Sequence, residues 1–287
     1  MKTWHMIIDV AKCEGCYNCL LACKDEHVDN DWPGYTAPQP RHGHHWMTLA
    51  RKERGQFPLI DVAYRPTPCM HCAAAPCVEV SNGAIRRRSD GLVLIDPPQA
   101  KGQRQLLDAC PYGAIWWNEE RGEPQKCTFC AHLIDQGRKQ TRCVQACPTG
   151  ALEVKFIEGS EMSHMAEERK LTRLYPELGT QSHVFYANLY RYDTCFIAGS
   201  VAVARAGVMD CCTGTIVTLK QGDKTVGETL TDAFGDFRFD ALAENSAGYT
   251  VEVTTGKHDK RSIAVPQLTA SLNLGTTSFG NDQVAED

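Results

Sequence analysis

The rhythm of apolar and polar positions changes near residue 198. Beyond that point, residues 199–204, 215–220, 224–231, 236–239 and 249–254 alternate apolar with polar side chains. That alternation is the period of a strand buried on one face. Turn signals separate these segments at Gln221-Gly222-Asp223, Phe234-Gly235-Asp236 and Ser246-Ala247-Gly248. Short alternating strands with regular turns predict a small β-sandwich or barrel. Before residue 198, short apolar runs at 4–10, 91–95 and 151–156 predict strands, and 161–174 predicts a helix with charges on its outer face. Residues 24–68 are polar and rich in Pro, Gly, His and aromatic side chains. An insertion this long is uncommon unless it binds something, so it is expected to be a loop that docks a partner subunit. The predicted organisation is α+β, with one domain over 1–197 and an all-β domain over 198–287.

Composition limits the function classes. The chain has 287 residues, 43% hydrophobic and 23% charged, which suits a two-domain globular protein. A net charge of −5 gives no electrostatic case for binding nucleic acid. The first nine residues lack the basic region and long apolar stretch of a leader peptide. No segment approaches the ~20 apolar residues needed to span a bilayer. The expected location is the cytoplasm.

The chemistry lies in the cysteines. Of fifteen, twelve fall into four blocks: Cys13-x2-Cys16-x2-Cys19-x3-Cys23, Cys69-x2-Cys72-x4-Cys77, Cys110-Pro111, and Cys127-x2-Cys130-x12-Cys143-x3-Cys147-Pro148. A [4Fe–4S] cube takes four thiolates. In two-cluster ferredoxins the last cysteine of one block ligates the cluster of the other block. Pairing the outer blocks gives Cys13, Cys16, Cys19 and Cys147 for one cluster, and Cys127, Cys130, Cys143 and Cys23 for another. Pairing the inner blocks gives Cys69, Cys72, Cys77 and Cys110. The sister site of the inner pair would need cysteines at 81, 100, 103 and 106, where the chain has Ser81, Ala100, Gln103 and Leu106. All four ligands of that site are missing together, the pattern of one cluster deleted cleanly. Each closing Cys-Pro opens a near repeat, Cys110-Pro-Tyr-Gly-Ala-Ile and Cys147-Pro-Thr-Gly-Ala-Leu, which points to an internal duplication.

Blander readings compete at each point. A disulfide framework suits a short secreted chain. A three-cysteine knot with a remote Cys-Pro is not a tetrahedral zinc layout. Cys195, Cys211 and Cys212 read as buried or incidental thiols. His42, His44 and His45 read as part of a solvated or interface loop, because no Cys or acidic ligand stands at metal-site spacing with them. Trp116 and Trp117 read as core. Lys126 and Arg142 adjoin ligand cysteines, and two readings of them stay balanced: charges that raise cluster potentials, or ordinary surface charges. The β domain shows no catalytic constellation and reads as a structural or interaction module.

The four-block plan, with Gln125-Lys126-Cys127-Thr-Phe-Cys130 and Ala146-Cys147-Pro-Thr-Gly-Ala-Leu152, resembles the iron–sulfur subunits of the dimethyl sulfoxide reductase family of molybdopterin oxidoreductases. The match covers residues 1 to about 197. The tail, with Thr231-Asp-Ala-Phe-Gly-Asp-Phe-Arg-Phe-Asp-Ala-Leu242, resembles the transthyretin-like, carboxypeptidase-regulatory type of sandwich. Three clusters plus such a tail, with Trp32-Pro-Gly-Tyr-Thr36, Arg65-Pro-Thr-Pro-Cys-Met-His-Cys72 and Pro176-Glu-Leu-Gly-Thr180, are similar to the small subunits of pyrogallol–phloroglucinol transhydroxylase and resorcinol hydroxylase. The resemblance implies a heterodimer with three [4Fe–4S] clusters in this chain. It puts a molybdopterin, with molybdenum or tungsten, and a hydroxylated aromatic substrate in the large subunit. Substrate chemistry is then not expected in this chain, and an external electron carrier is a further candidate partner. The alternatives are the same role beside a polysulfide-, arsenate- or catechol-dehydroxylating enzyme, and a free multicluster ferredoxin.

Overall fold

The computed structural model describes residues 1–205, 208–255 and 259–280. The chain divides into two compact units, one of residues 1–51 and 64–189, the other of 52–63 and 190–287.

The first unit is built on the strand Lys2–Asp9. It pairs antiparallel with Leu152–Glu158, Trp4 opposite Phe156 and Ile8 opposite Leu152. On its other edge it pairs parallel with Val184–Ala187, Met6 opposite Val184. Met6, Ile7 and Ile8 are all buried, so this strand has no solvent face, which is why its sequence is a continuous apolar run. The run at 91–95 becomes the strand Val93–Ile95, hairpinned with Ile85–Arg87. A second hairpin joins Trp116–Asn118 to Glu123–Gln125.

The predicted helix over 161–174 is shorter and earlier, Gly159–Glu168. It buries Met162 in a cluster with Ile7, Leu171 and Phe185 and turns its charges outward. It stops because Lys170 adopts a left-handed backbone (φ 51°), with Leu171 N–H bonded to Ala166 O (2.8 Å) and Lys170 N–H to Glu167 O (3.2 Å). That is a Schellman closure on a residue other than Gly.

The insertion is more ordered than a loop. It opens on the end of the helix Asn18–His27 and holds the hairpin Thr48–Gln56 with Leu59–Thr67. Trp116 and Trp117 are half-buried rather than core. They lie on a two-stranded hairpin too small to cover them, where Trp117 Nε1 donates to Glu119 and the Arg104 guanidinium stacks on the Trp117 ring.

The second unit holds two four-stranded sheets. In one, the long strand Cys195–Arg205 is central. It pairs antiparallel with Asp236–Leu242 and Val208–Cys211, and parallel with Leu272–Phe279. The other is antiparallel, in the order Lys224–Leu230, Ile216–Gln221, Ser246–Thr255, Asp259–Leu268. Val201, Val203, Phe237 and Phe239 from the first sheet form one buried cluster with Val217, Leu219, Val251 and Val253 from the second. The alternation read in the sequence is the inner face of this two-layer β structure. The strands 208–211, 259–268 and 272–279 carried no such signal.

The hairpin tip, 52–63, adds an ionic network to this unit. Asp61 accepts from Arg191 (2.6 Å), Arg238 (3.0 Å) and Arg54, and Arg54 also pairs with Asp240 (3.1 Å). The Arg54 side chain is 1% exposed and that of Asp61 13%.

Candidate iron–sulfur centres

Each cysteine block is a loop with a forced backbone. Cys13 to Cys19 runs from the central strand into the helix Asn18–His27 through Gly15 (φ 70°) and Tyr17 (φ 61°). A Cβ on Gly15 would stand 2.5 Å from the Tyr64 ring, so only glycine fits. The block at 127–130 turns through Phe129 (φ 58°) and Cys130 (φ 51°), and the block at 69–72 through His71 (φ 44°). These turns aim successive thiols inward instead of along a helix or strand.

The fold brings the thiols together in three groups. Cys19 faces Cys13, Cys16 and Cys147. Cys72 faces Cys69, Cys110 and Cys77. Cys23 faces Cys127, Cys130 and Cys143. The helices Asn18–His27 and Arg142–Gln145 pack together, and each sends cysteines to two groups: Cys19 and Cys23 from the first, Cys143 and the following Cys147 from the second. Two further approaches join the groups, Cys127 to Cys69 and Cys143 to Cys19. The group with Cys23 therefore stands between the other two.

Burial, followed by repulsion between facing thiolates, pushes the thiols of Cys19 and Cys77 up to about 11, and that of Cys72 to about 12. Cys127 rises to about 11 for the same reasons and Cys143 to about 12, while Cys23 and Cys130 go well above the ordinary thiol range. Cys147 goes the other way. Burial raises it, but hydrogen bonds from Thr149 and from the backbone at 149, 151 and 152 outweigh that. Donors aimed at sulfur recur: Ala114 N–H to Cys110 (3.4 Å), Phe129 N–H to Cys127 (3.4 Å), Arg142 N–H to Cys130 (3.5 Å), and Thr141 Oγ1 beside Cys143 Sγ (3.1 Å). Such donors stabilise negative charge on sulfur.

The donor set fits a cube better than a single ion. Among the described residues, no three His, Cys, Asp or Glu converge closely enough to hold one metal ion. Cys23, Cys127, Cys130 and Cys143 instead line one shared hollow, together with Met6, His27, Trp46 and Phe129. Four soft thiols around a shared hollow, each costly to ionise unaided, suit a cationic iron–sulfide core.

Ser81, Ala100, Gln103 and Leu106, at the positions where the spacing would put a fourth set of cysteines, have other roles. Ser81 is buried, and its Oγ donates to Val78 O (2.9 Å) and accepts from Ile85 N–H (3.0 Å). Ala100 and Leu106 are fully buried, and Gln103 bonds Gln99 O on the surface (2.9 Å). The remaining thiols stand apart. Cys195 packs in the sandwich core, Cys211 is exposed, and Cys212 is half-buried beside Thr215 Oγ1 (3.1 Å). Of the three histidines in the insertion, His42 is exposed and His45 half-buried. His44 is buried against Trp116, and burial, then Lys24 and His45, lower it to about 4.

Sequence reasoning missed part of the surroundings. His132 is buried, bonded to Glu26 (2.9 Å) and stacked on Trp32 (centroids 4.1 Å apart), beside the central group. Lys126, open to two readings from sequence, is 3% exposed and so is not a surface charge. Arg142 is a partly exposed charge paired with Asp25 (3.1 Å). Adjacency to a ligand cysteine was the only signal for Lys126, and its burial depends on Val93, far away in the chain.

Comparison with known proteins places these features in context. A family described as the 4Fe-4S dicluster domain matches residues 60–156. The chain is 45% identical over 278 residues to the pyrogallol hydroxytransferase small subunit of Pelobacter acidigallici, covering 96% of this chain and 99% of that one. It is 31% identical over 242 residues to the arsenate respiratory reductase iron–sulfur subunit of Shewanella sp. (strain ANA-3), covering 67% of this chain and 98% of that one. It is 29% identical over 225 residues to the iron–sulfur cluster-binding subunit of the menaquinone reductase of Nitratidesulfovibrio vulgaris, covering 64% and 88%. Only an alignment as long as the first takes in the C-terminal unit as well as the cysteine blocks.

Proposed function

Because the chain belongs to the iron–sulfur electron-transfer subunits of the molybdopterin oxidoreductases, we propose that it carries three [4Fe–4S] clusters beside a large subunit that acts on hydroxylated aromatics. The ligand sets are Cys13, Cys16, Cys19 and Cys147; Cys69, Cys72, Cys77 and Cys110; and Cys127, Cys130, Cys143 and Cys23. The cavity ringed by all four thiols of the last set carries this reading. Such clusters take up and release single electrons. The chain's residues hold the cubes, keep water from the central one, and aim N–H groups at the sulfurs. The approaches of Cys69 to Cys127 and of Cys143 to Cys19 make the relay linear, with the buried cluster in the middle.

The set with Cys147 ends this relay at the surface, where Cys16, Tyr17 and Leu21 are exposed. Exposed apolar side chains beside that cluster, and the inserted segment that follows, suit a docked large subunit holding the molybdopterin, with molybdenum or tungsten. The C-terminal unit is read as a transthyretin-like sandwich that serves assembly. No described helix is long and apolar enough to cross a membrane. Reduced thiols on oxygen-labile clusters suit an anaerobic cytoplasm.

The aromatic substrate class rests on the 96% coverage by the pyrogallol hydroxytransferase subunit, against about two thirds by the arsenate reductase subunit. The test is an anaerobic assay of the complex isolated through this chain. Conversion of pyrogallol without an added electron acceptor is expected. Arsenate reduction with no turnover of trihydroxybenzenes would contradict the reading and favour the oxyanion-reducing relatives.

A further inference from the structure

Lys126 is buried, and among the described residues no carboxylate pairs with its Nζ. Its Nζ donates to two neutral acceptors, the carbonyl oxygens of Val93 and of Cys127 (3.1 Å). Glu123, three residues earlier, is occupied by Gln125 Nε2 (3.1 Å). A buried charge left unpaired is strongly unfavourable, so a counter-charge must stand nearby. The candidates are the thiol groups on either side. Cys127 is the next residue and belongs to the central group. On the other side, the Val93 peptide connects Lys126 to the group with Cys69: Val93 O accepts from Lys126 Nζ, Val93 N–H donates to His71 Nδ1 (3.0 Å), and the backbone N–H of His71 donates to Cys69 Sγ (3.5 Å). His71 accepts through Nδ1 and so is an uncharged link in this chain of bonds.

Resting on the ligand sets proposed above, we propose that Lys126 is the shared counter-ion of two neighbouring clusters and holds both at a higher potential than they would otherwise have. Four thiolates leave each cube anionic, and each electron taken from the adjacent centre of the relay adds one more negative charge. A fixed cation between two cubes stabilises the reduced form of each, so these two of the three clusters become the electron sink of the relay. Lys126 is a positioning residue for charge. It is not a ligand and does not touch the substrate.

The test is a redox titration, followed by electron paramagnetic resonance, of the intact complex carrying Lys126→Met, Lys126→Gln or Lys126→Arg, with iron counted in each. In the neutral variants the reduced-to-oxidised ratio of the two flanking clusters at a fixed potential should fall about tenfold, a 59 mV shift for one electron. The cluster held by Cys13, Cys16, Cys19 and Cys147 should keep its potential, and Lys126→Arg should titrate like the wild type. If the neutral variants fail to assemble, loss of the two flanking clusters alone, restored by Arg, supports the same role. Unchanged potentials with full iron, an equal shift of all three clusters, or an Arg variant as impaired as Met would overturn it. A wild-type protein with iron for fewer than three clusters would instead defeat the ligand assignment.

Discussion

Cys77→Ser is expected to cost the chain one cluster of three and spare the other two. Iron should fall from about twelve to about eight atoms per chain, since each cube holds four. Cys77 lies near Cys69, Cys72 and Cys110, and it sits on the four-residue helix Pro76–Glu79, away from the helices that serve the other groups. A serine hydroxyl is harder and less acidic than a thiol and leaves the cube with three good ligands. The group closed by Cys110 stands at one end of the row, so its loss should not open the central cavity. The readouts are iron and sulfide content and the number of spins on full reduction. Loss of all iron, or of none, would break the partition of the cysteines.

Asp61→Asn should destabilise the C-terminal unit by about 3 kcal/mol, the scale for breaking a buried ion pair. Asp61 stands among Arg54, Arg191 and Arg238, and its removal takes one carboxylate from the buried Arg54 guanidinium, which then faces two others while keeping its pair with Asp240. Burial by itself would raise the Asp61 carboxyl, but the hydrogen bonds from Arg54, Arg238 and Arg191 outweigh it and hold the group well below the usual carboxylate range. A folded pKa below the unfolded value of about 3.9 means stability that is complete above that pH and lost progressively as pH falls from there through the folded pKa. The wild-type unit should therefore weaken below about pH 4, and the Asn variant should lack that acid step. Hydrogen exchange across Cys195–Arg205 and Asp236–Leu242 measures both effects. A difference under about 1 kcal/mol would show the network to be ordinary surface pairing.

The proposed ligand sets come from spacing alone, because a cube would impose its geometry on a few adjacent residues and one remote one. That constraint is local enough to be written in the chain. The sandwich strands with clean alternation were legible for a similar reason, each side chain declaring its face. The strand Asp259–Leu268 was not: it begins Asp-Lys-Arg-Ser, carries Pro266, and lies at a sheet edge where such residues are tolerated. Leu272–Phe279 is mostly polar, and it pairs in parallel with a strand far back in the chain. Lys170 ends its helix in a conformation for which its residue type gives no signal. The insertion looked like an open loop because its hairpin is polar. Part of its order comes from Arg54 and Asp61, whose partners Asp240 and Arg238 lie nearly two hundred residues away. Lys126 was visible as a neighbour of a ligand but not as a buried charge, since the carbonyl that receives it comes from a different hairpin.

The most direct test of the account is elemental analysis of the protein purified anaerobically with whatever co-purifies, counting iron, acid-labile sulfide, molybdenum, tungsten and zinc. The account predicts about twelve irons and as many sulfides for this chain, with one molybdenum or tungsten in a larger partner. Iron for one or two cubes, zinc in place of iron, or full iron with neither molybdenum nor tungsten nor a partner would contradict it.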